Sequence, residues 1–157
     1  MARLTTTLLS IIPRLAGALV ALACCGGFPN APRTCGSEPE RIVFDTDMGN
    51  DVDDAMALAV LHALESRGEC RLLAVTLTNP DPLAAPFVDA LNTFYGRGDI
   101  PIGLRRDGAT NEPSRFLHVA QIRDGRRLRY PHDLKPGRGP EAQALLRQTL
   151  AAQRTPR

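Results

Sequence analysis

The feature that most constrains this chain is an eleven-residue stretch, Asp45-Thr46-Asp47-Met48-Gly49-Asn50-Asp51-Val52-Asp53-Asp54-Ala55, that holds five aspartates. It follows Ile42-Val43-Phe44, which reads as a buried strand, and runs into Ala55-Met56-Ala57-Leu58-Ala59-Val60-Leu61, which reads as a helix. Carboxylates crowded at a strand-to-helix turn repel and raise each other's pKa. A hard cation removes that conflict, and an all-oxygen carboxylate site suits Ca2+ or Mg2+ rather than zinc. Gly49 permits a sharp turn and close backbone approach. Asp53 and Asp54 open the helix, where its dipole favours negative charge. An EF-hand is excluded: counting from Asp45, the sixth position is Asn50 rather than Gly and the twelfth is Met56 rather than Glu.

The segments around this turn alternate. Arg41 to Phe44 is predicted as a strand and Asp53 to Ser66 as a helix ended by Gly68, with Met56, Val60 and Leu64 as its buried stripe, widened by Leu58 and Leu61. Arg71 to Thr78 is a second strand, Leu83 to Tyr95 a second helix closed by Gly96, and Ile100 to Leu104 a short third strand. Arg105 to Pro140 reads as irregular, with a helix near Ser114 to Ile122, and Glu141 to Ala152 as a last helix. Strands and helices in this order predict an α/β fold with a parallel sheet and right-handed crossovers. The aspartates then lie beyond the carboxyl end of the first strand, where open parallel sheets bind ligands. The rhythm calls for another strand after Ala152, so the sheet is expected to be incomplete at the C-terminus.

Residues 1–25 have the pattern of an export signal. Arg3 and Arg14 precede the apolar Leu15 to Ala23, Ala21-Leu22-Ala23 is an A-x-A cleavage pattern, and the apolar run is too short for a membrane span. Cys24 and Cys25 follow at once. This predicts an exported protein, periplasmic or anchored as a lipoprotein through a lipid on Cys24, although Ala21 stands where a lipobox prefers Leu. A mis-assigned start codon upstream of a cytoplasmic protein is the alternative. Residues 26–40, rich in Gly, Pro, Ser and Asn, read as a linker, and 41–157 as the folded part. Cys35 and Cys70 are expected to be free thiols, and the three histidines, His62, His118 and His132, form no zinc pattern with the cysteines. The formal net charge is +2, and aromatic residues are 4% of the chain, so neither charge nor stacking surface predicts a nucleic-acid partner. The excess of 12 Lys/Arg over five Asp/Glu from Arg105 onward reads as a solvated basic surface.

The aspartate motif resembles the N-terminal signature of the inosine-uridine-preferring nucleoside hydrolase family. That signature is a strand ending in D-x-D-x-G, here Asp45-Thr46-Asp47-Met48-Gly49, followed by D-D-A, here Asp53-Asp54-Ala55, with two more intervening residues than the commonest form. The likeness continues through Leu73-Ala74-Val75-Thr76, Phe87 to Gly96 and Ile100-Pro101-Ile102-Gly103. It implies an open, Rossmann-like parallel α/β fold and Ca2+-dependent hydrolysis of the N-glycosidic bond of a ribonucleoside. By resemblance, Asp47 ligates the metal and takes a proton from the attacking water, Asp54 is a second ligand, and Asp53 binds ribose hydroxyls. Asp45 and Asp51 support them. Asn79 is the candidate for the family's ribose-touching Asn, although the gapless register puts Asp81 there. His132, in Arg129-Tyr130-Pro131-His132-Asp133, is the candidate for a His near base or ribose. The family's domain is much longer and draws further metal ligands from its second half, so a truncated product that is inactive alone is expected.

Two other readings stay open. A haloacid-dehalogenase-like phosphatase would use Asp45 as nucleophile and Asp47 as acid/base, with Lys135 the only lysine on offer, and would leave Asp53-Asp54-Ala55 unused. A non-catalytic exported remnant would bind metal or sugar without turnover.

Overall fold

The second strand is the centre of the sheet, and its composition says why. Cys70–Leu77, CRLLAVTL, is apolar at nearly every position, as a strand covered on both faces must be. In the computed structural model, which describes residues 38–108 and 114–153, it lies between two parallel neighbours. These are β1 (Glu40–Thr46) and β3 (Ile102–Leu104), with β2 (Cys70–Leu77) between them, giving the order β1-β2-β3. The export signal, the lipidation site at Cys24, Cys35 and most of the linker lie outside the described residues. Among the described residues no helix is long and apolar enough to cross a membrane, and Cys70 is a free, buried thiol.

Helix α1 (Asp53–Ser66) joins β1 to β2, and α2 (Ala84–Phe94) joins β2 to β3. The two helices touch each other and share one face of the sheet; α3 (Ala142–Ala152) packs on β2 and β3. Leu58, Leu72, Val75, Leu77, Val88 and Ile102 form the core on the α1/α2 side. The α3 side is lined by small residues. A Cβ on Gly103 would stand 2.8 Å from the Cα of Ala142, so the absent side chain is what lets α3 lie directly on the sheet. Glu141 starts α3 by accepting a hydrogen bond from the Ala144 N–H at 2.8 Å, an N-cap that satisfies one of the helix's free donors.

The bounds of α1 match expectation, but its buried face does not. Met56 and Val60 are exposed (63% and 57%), whereas Leu58 and His62 are wholly buried. The helix is apolar almost all round, so spacing alone could not choose a face. The sheet takes the one that carries Leu58, with Ala55 and Leu61 packed beside it. His62 then meets α2, where Nε2 lies 2.9 Å from Asn92 Oδ1 and the ring stacks on Tyr95. Burial lowers its pKa below the ordinary 6.5, with the nearby Arg97 cation adding to the effect and the Asn92 hydrogen bond and Glu65 opposing it. The unfolded chain therefore binds the imidazole proton more readily than the folded one. Stability is full above about pH 6.5 and falls as pH drops below it, by at most about 1.4 kcal/mol per pH unit for one proton. Urea titrations between pH 7 and pH 5 should show this slope, and His62→Gln should flatten it.

The long segment after β3 is less irregular than its sequence suggests. The predicted helix near Ser114 is a single 3₁₀ turn, Leu117–Gln121, begun by the Ser114 hydroxyl accepting from the Phe116 and Leu117 N–H groups. A two-stranded ribbon follows, β4 (Arg123–Asp124) and β5 (Arg127–Leu128), turning at Gly125. The loop beyond is fastened by Asp89 of α2. Its buried carboxylate accepts the N–H groups of Asp133 and Leu134 at 2.9 and 2.8 Å.

Candidate functional site

Alternation along β1 would set Asp45 and Asp47 on one face, but the strand ends at Thr46, so Asp47 belongs to the turn. Asp45 faces away from the α1 side and accepts a hydrogen bond from Thr76 Oγ1 of β2 at 2.5 Å. Thr46 is buried on the other face, beneath the start of α1, where its Oγ1 accepts from the Met48 N–H at 3.0 Å and also hydrogen-bonds the Asp54 side chain. The turn then brings Asp47 near Asp54, whose pKa it raises.

Met48, wholly buried, plugs the turn into the core. Gly49 has φ +136°, a conformation that L side chains rarely adopt, and a Cβ there would meet Asn79 Nδ2 at 2.7 Å and Leu117 Cδ1 at 2.9 Å. Asn79 closes the turn from β2's end, with Nδ2 donating to the carbonyls of Met48 and Asp47 at 3.2 and 3.4 Å. Asn50 Nδ2 donates to Asp47 Oδ2 at 3.2 Å and fixes that carboxylate.

The electrostatics centre on Asp54. Partial burial raises its pKa, and the hydrogen bond and charge of Asp47 and the charge of Asp53 raise it further; only the Thr46 hydroxyl works the other way. Asp53 is exposed and folds back to accept the Asp54 N–H at 3.0 Å, and Asp51 is exposed on the turn. Among the described residues no three His, Cys, Asp or Glu side chains converge as a ready metal cage. The donor set nevertheless fits a hard cation in part. Asp47, held by Asn50, and Asp54 are neighbouring carboxylates whose repulsion raises the Asp54 pKa, and a cation between them would relieve it.

Of the seven candidate residues, the structure joins Asp47, Asp53, Asp54 and Asn79 at one turn, with Asp51 at its rim. Asn79, not Asp81, reaches the main chain of the aspartate turn; Asp81 instead accepts the Leu83 N–H at 2.8 Å, just ahead of α2. Asp45 reaches Thr76 across the strand. His132 hydrogen-bonds the Tyr130 carbonyl at 2.9 Å and lines a separate cavity of about 360 Å³ with Leu83, Pro86, Arg123 and Lys135; that lining includes no residue of the aspartate turn. Thr46, Asn50 and Leu117 were not singled out from sequence. Thr46 had a signal, since a hydroxyl residue between two aspartates at a strand end alternates to the buried side.

No protein-family model, no curated protein and no solved structure matches this chain. The class that stands is an α/β unit with a three-stranded parallel sheet and a clustered carboxylate turn beyond the end of its first strand.

Proposed function

We propose that the aspartate turn is a Ca2+ site serving hydrolysis of the N-glycosidic bond of ribonucleosides. The observation that carries this reading is the turn that sets Asp47, fixed by Asn50 at 3.2 Å, near enough to Asp54 to raise its pKa. Both would hold the cation, which when bound supplies Lewis acidity to a water and a fixed point for the sugar diol. Asp47 is the exposed member and the one free to take a proton. It accepts that proton from the water whose oxygen attacks C1′, while the C1′–N bond breaks and its electron pair leaves with the base. Carboxylates beside C1′ favour the positive charge that develops on the sugar. Asp53, exposed at the first turn of α1, accepts hydrogen bonds from ribose hydroxyls. Asn79 positions the turn through the Met48 and Asp47 carbonyls.

The phosphatase reading is weaker. It needs Asp45 as nucleophile, but one oxygen of the Asp45 carboxylate is already engaged by the Thr76 hydroxyl. Two side-chain ligands leave most of a Ca2+ coordination sphere of about six to eight oxygens to water. Affinity and turnover of the 157-residue chain should therefore be low. The test is release of base from inosine and uridine with and without Ca2+, run beside phosphate release from a generic phosphomonoester. Slow, Ca2+-dependent base release supports the proposal. Turnover of the phosphomonoester instead would reject it.

A further inference from the structure

In the three-stranded sheet β2 is paired on both sides, but the outer edge of β1 has no neighbour among the described residues. Edges of natural sheets are usually short, bulged, or guarded by Pro or charged side chains. This one is seven residues long, ERIVFDT, holds no Pro, and carries charges of both signs in Glu40, Arg41 and Asp45, which can pair as well as repel. Its one register irregularity falls on the β2 side: Ile42 pairs with Leu72 and Val43 with Ala74, so the extra residue is Leu73 and β1 runs on unbroken. Ile42, Val43 and Phe44 are only half-buried.

The main chain shows which groups are free. Glu40 N–H donates to the Glu69 carbonyl, and the Thr46 carbonyl accepts from the Thr78 N–H, so even-numbered residues face β2. Alternation then turns the N–H and C=O groups of Arg41, Val43 and Asp45 outward. In an antiparallel ribbon such outward residues exchange hydrogen bonds in opposed pairs. A two-fold axis can pass between copies at any residue from Arg41 to Asp45. The axis at Arg41 sets Arg41 against Arg41, the axis at Asp45 sets Asp45 against Asp45, and those at Ile42 and Phe44 set Val43 against Arg41 or Asp45 and form no charge pair within β1. Only the axis at Val43 sets Arg41 of each copy against Asp45 of the other, with Ile42 opposite Phe44. Arg41 is available for this, since its present partners, Glu38 at 3.8 Å and Gln153 at 3.1 Å, are surface contacts of little strength.

We propose that the outer edge of β1 is a self-pairing surface, on which a second copy of this chain docks antiparallel about a two-fold axis at Val43. Roughly six main-chain hydrogen bonds and two Arg41–Asp45 pairs join the copies. The sheet becomes a continuous six-stranded one.

Sedimentation velocity of the full chain across the micromolar range tests this. A mass near twice 17.0 kDa that dissociates on dilution is expected. Val43→Pro removes one outward N–H and leaves the β2-facing main chain alone, as edge prolines do; it should sediment as a monomer with an unchanged far-ultraviolet circular dichroism spectrum. Should that variant lose its fold, charge reversal decides. Arg41→Asp should weaken association about tenfold, and Arg41→Asp/Asp45→Arg should restore it. A monomer at every concentration would overturn the proposal. So would a doubled mass that Val43→Pro leaves intact in a folded chain, or equal association by the single and double charge variants.

Discussion

Asp47→Ala should abolish Ca2+-dependent base release while leaving the circular dichroism spectrum close to that of the parent chain. The side chain is exposed, and the contacts that hold the turn to the core run through Met48, Gly49 and the carbonyls that Asn79 grips, not through the Asp47 carboxylate. Folding therefore loses little. Chemistry loses both a charged ligand and the proton acceptor, and a positioned acid or base alone is worth about 10²–10⁴ in rate. Asp54→Ala should be nearly as damaging to metal binding. It also removes the group whose repulsion acts on Asp47, so the turn itself should become no less stable. A variant that keeps full base release without Asp47 would move the chemistry elsewhere in the molecule.

Gly49→Val should have the largest effect on stability of any single change at the site. Two costs add. A β-branched residue forced to φ +136° carries about 1–3 kcal/mol of backbone strain. Its Cβ would also press on Asn79 Nδ2 at 2.7 Å and Leu117 Cδ1 at 2.9 Å, and overpacking of this kind costs about 1–3 kcal/mol more. Asn79 must let go of the Met48 and Asp47 carbonyls to make room. The variant should thus lose stability and metal binding together in thermal melts and calcium titrations. Gly49→Ala should lie between it and the parent chain. A parent-like melting temperature for Gly49→Val would mean that the turn does not need this close approach.

How much of this was legible in the sequence depends on how many residues could fill each role. The bounds of α1 were legible because acidic residues at one end and Gly68 at the other punctuate it. Its buried face was not, because Met56 and Val60 are as apolar as Leu58, and only the position of the sheet decides between them. The parallel sheet followed from the alternation of strands and helices. The β4–β5 ribbon did not, since two residues per strand carry no period. The clamp of Asp89 on the late loop joins residues 44 and 45 positions apart. Nothing local in an amphipathic helix marks one carboxylate for that duty. At the site, carboxylate density exposed the turn, but alternation alone does not mark where β1 stops, which leaves Asp45 in the strand and Asp47 in the turn. His132 was chosen by resemblance, and its observed neighbours are those of the cavity beside α2 and β4.

In the proposed site Asp47 and Asp54 act together as the seat of a divalent cation, and calorimetric titration with Ca2+ tests that most directly. The parent chain should bind one Ca2+ weakly, as two carboxylates with the remaining positions left to water would. The Asp47→Asn/Asp54→Asn variant should give no heat above dilution. Equal binding by parent chain and double variant, or no Ca2+-dependent heat from the parent chain at millimolar metal, would contradict it.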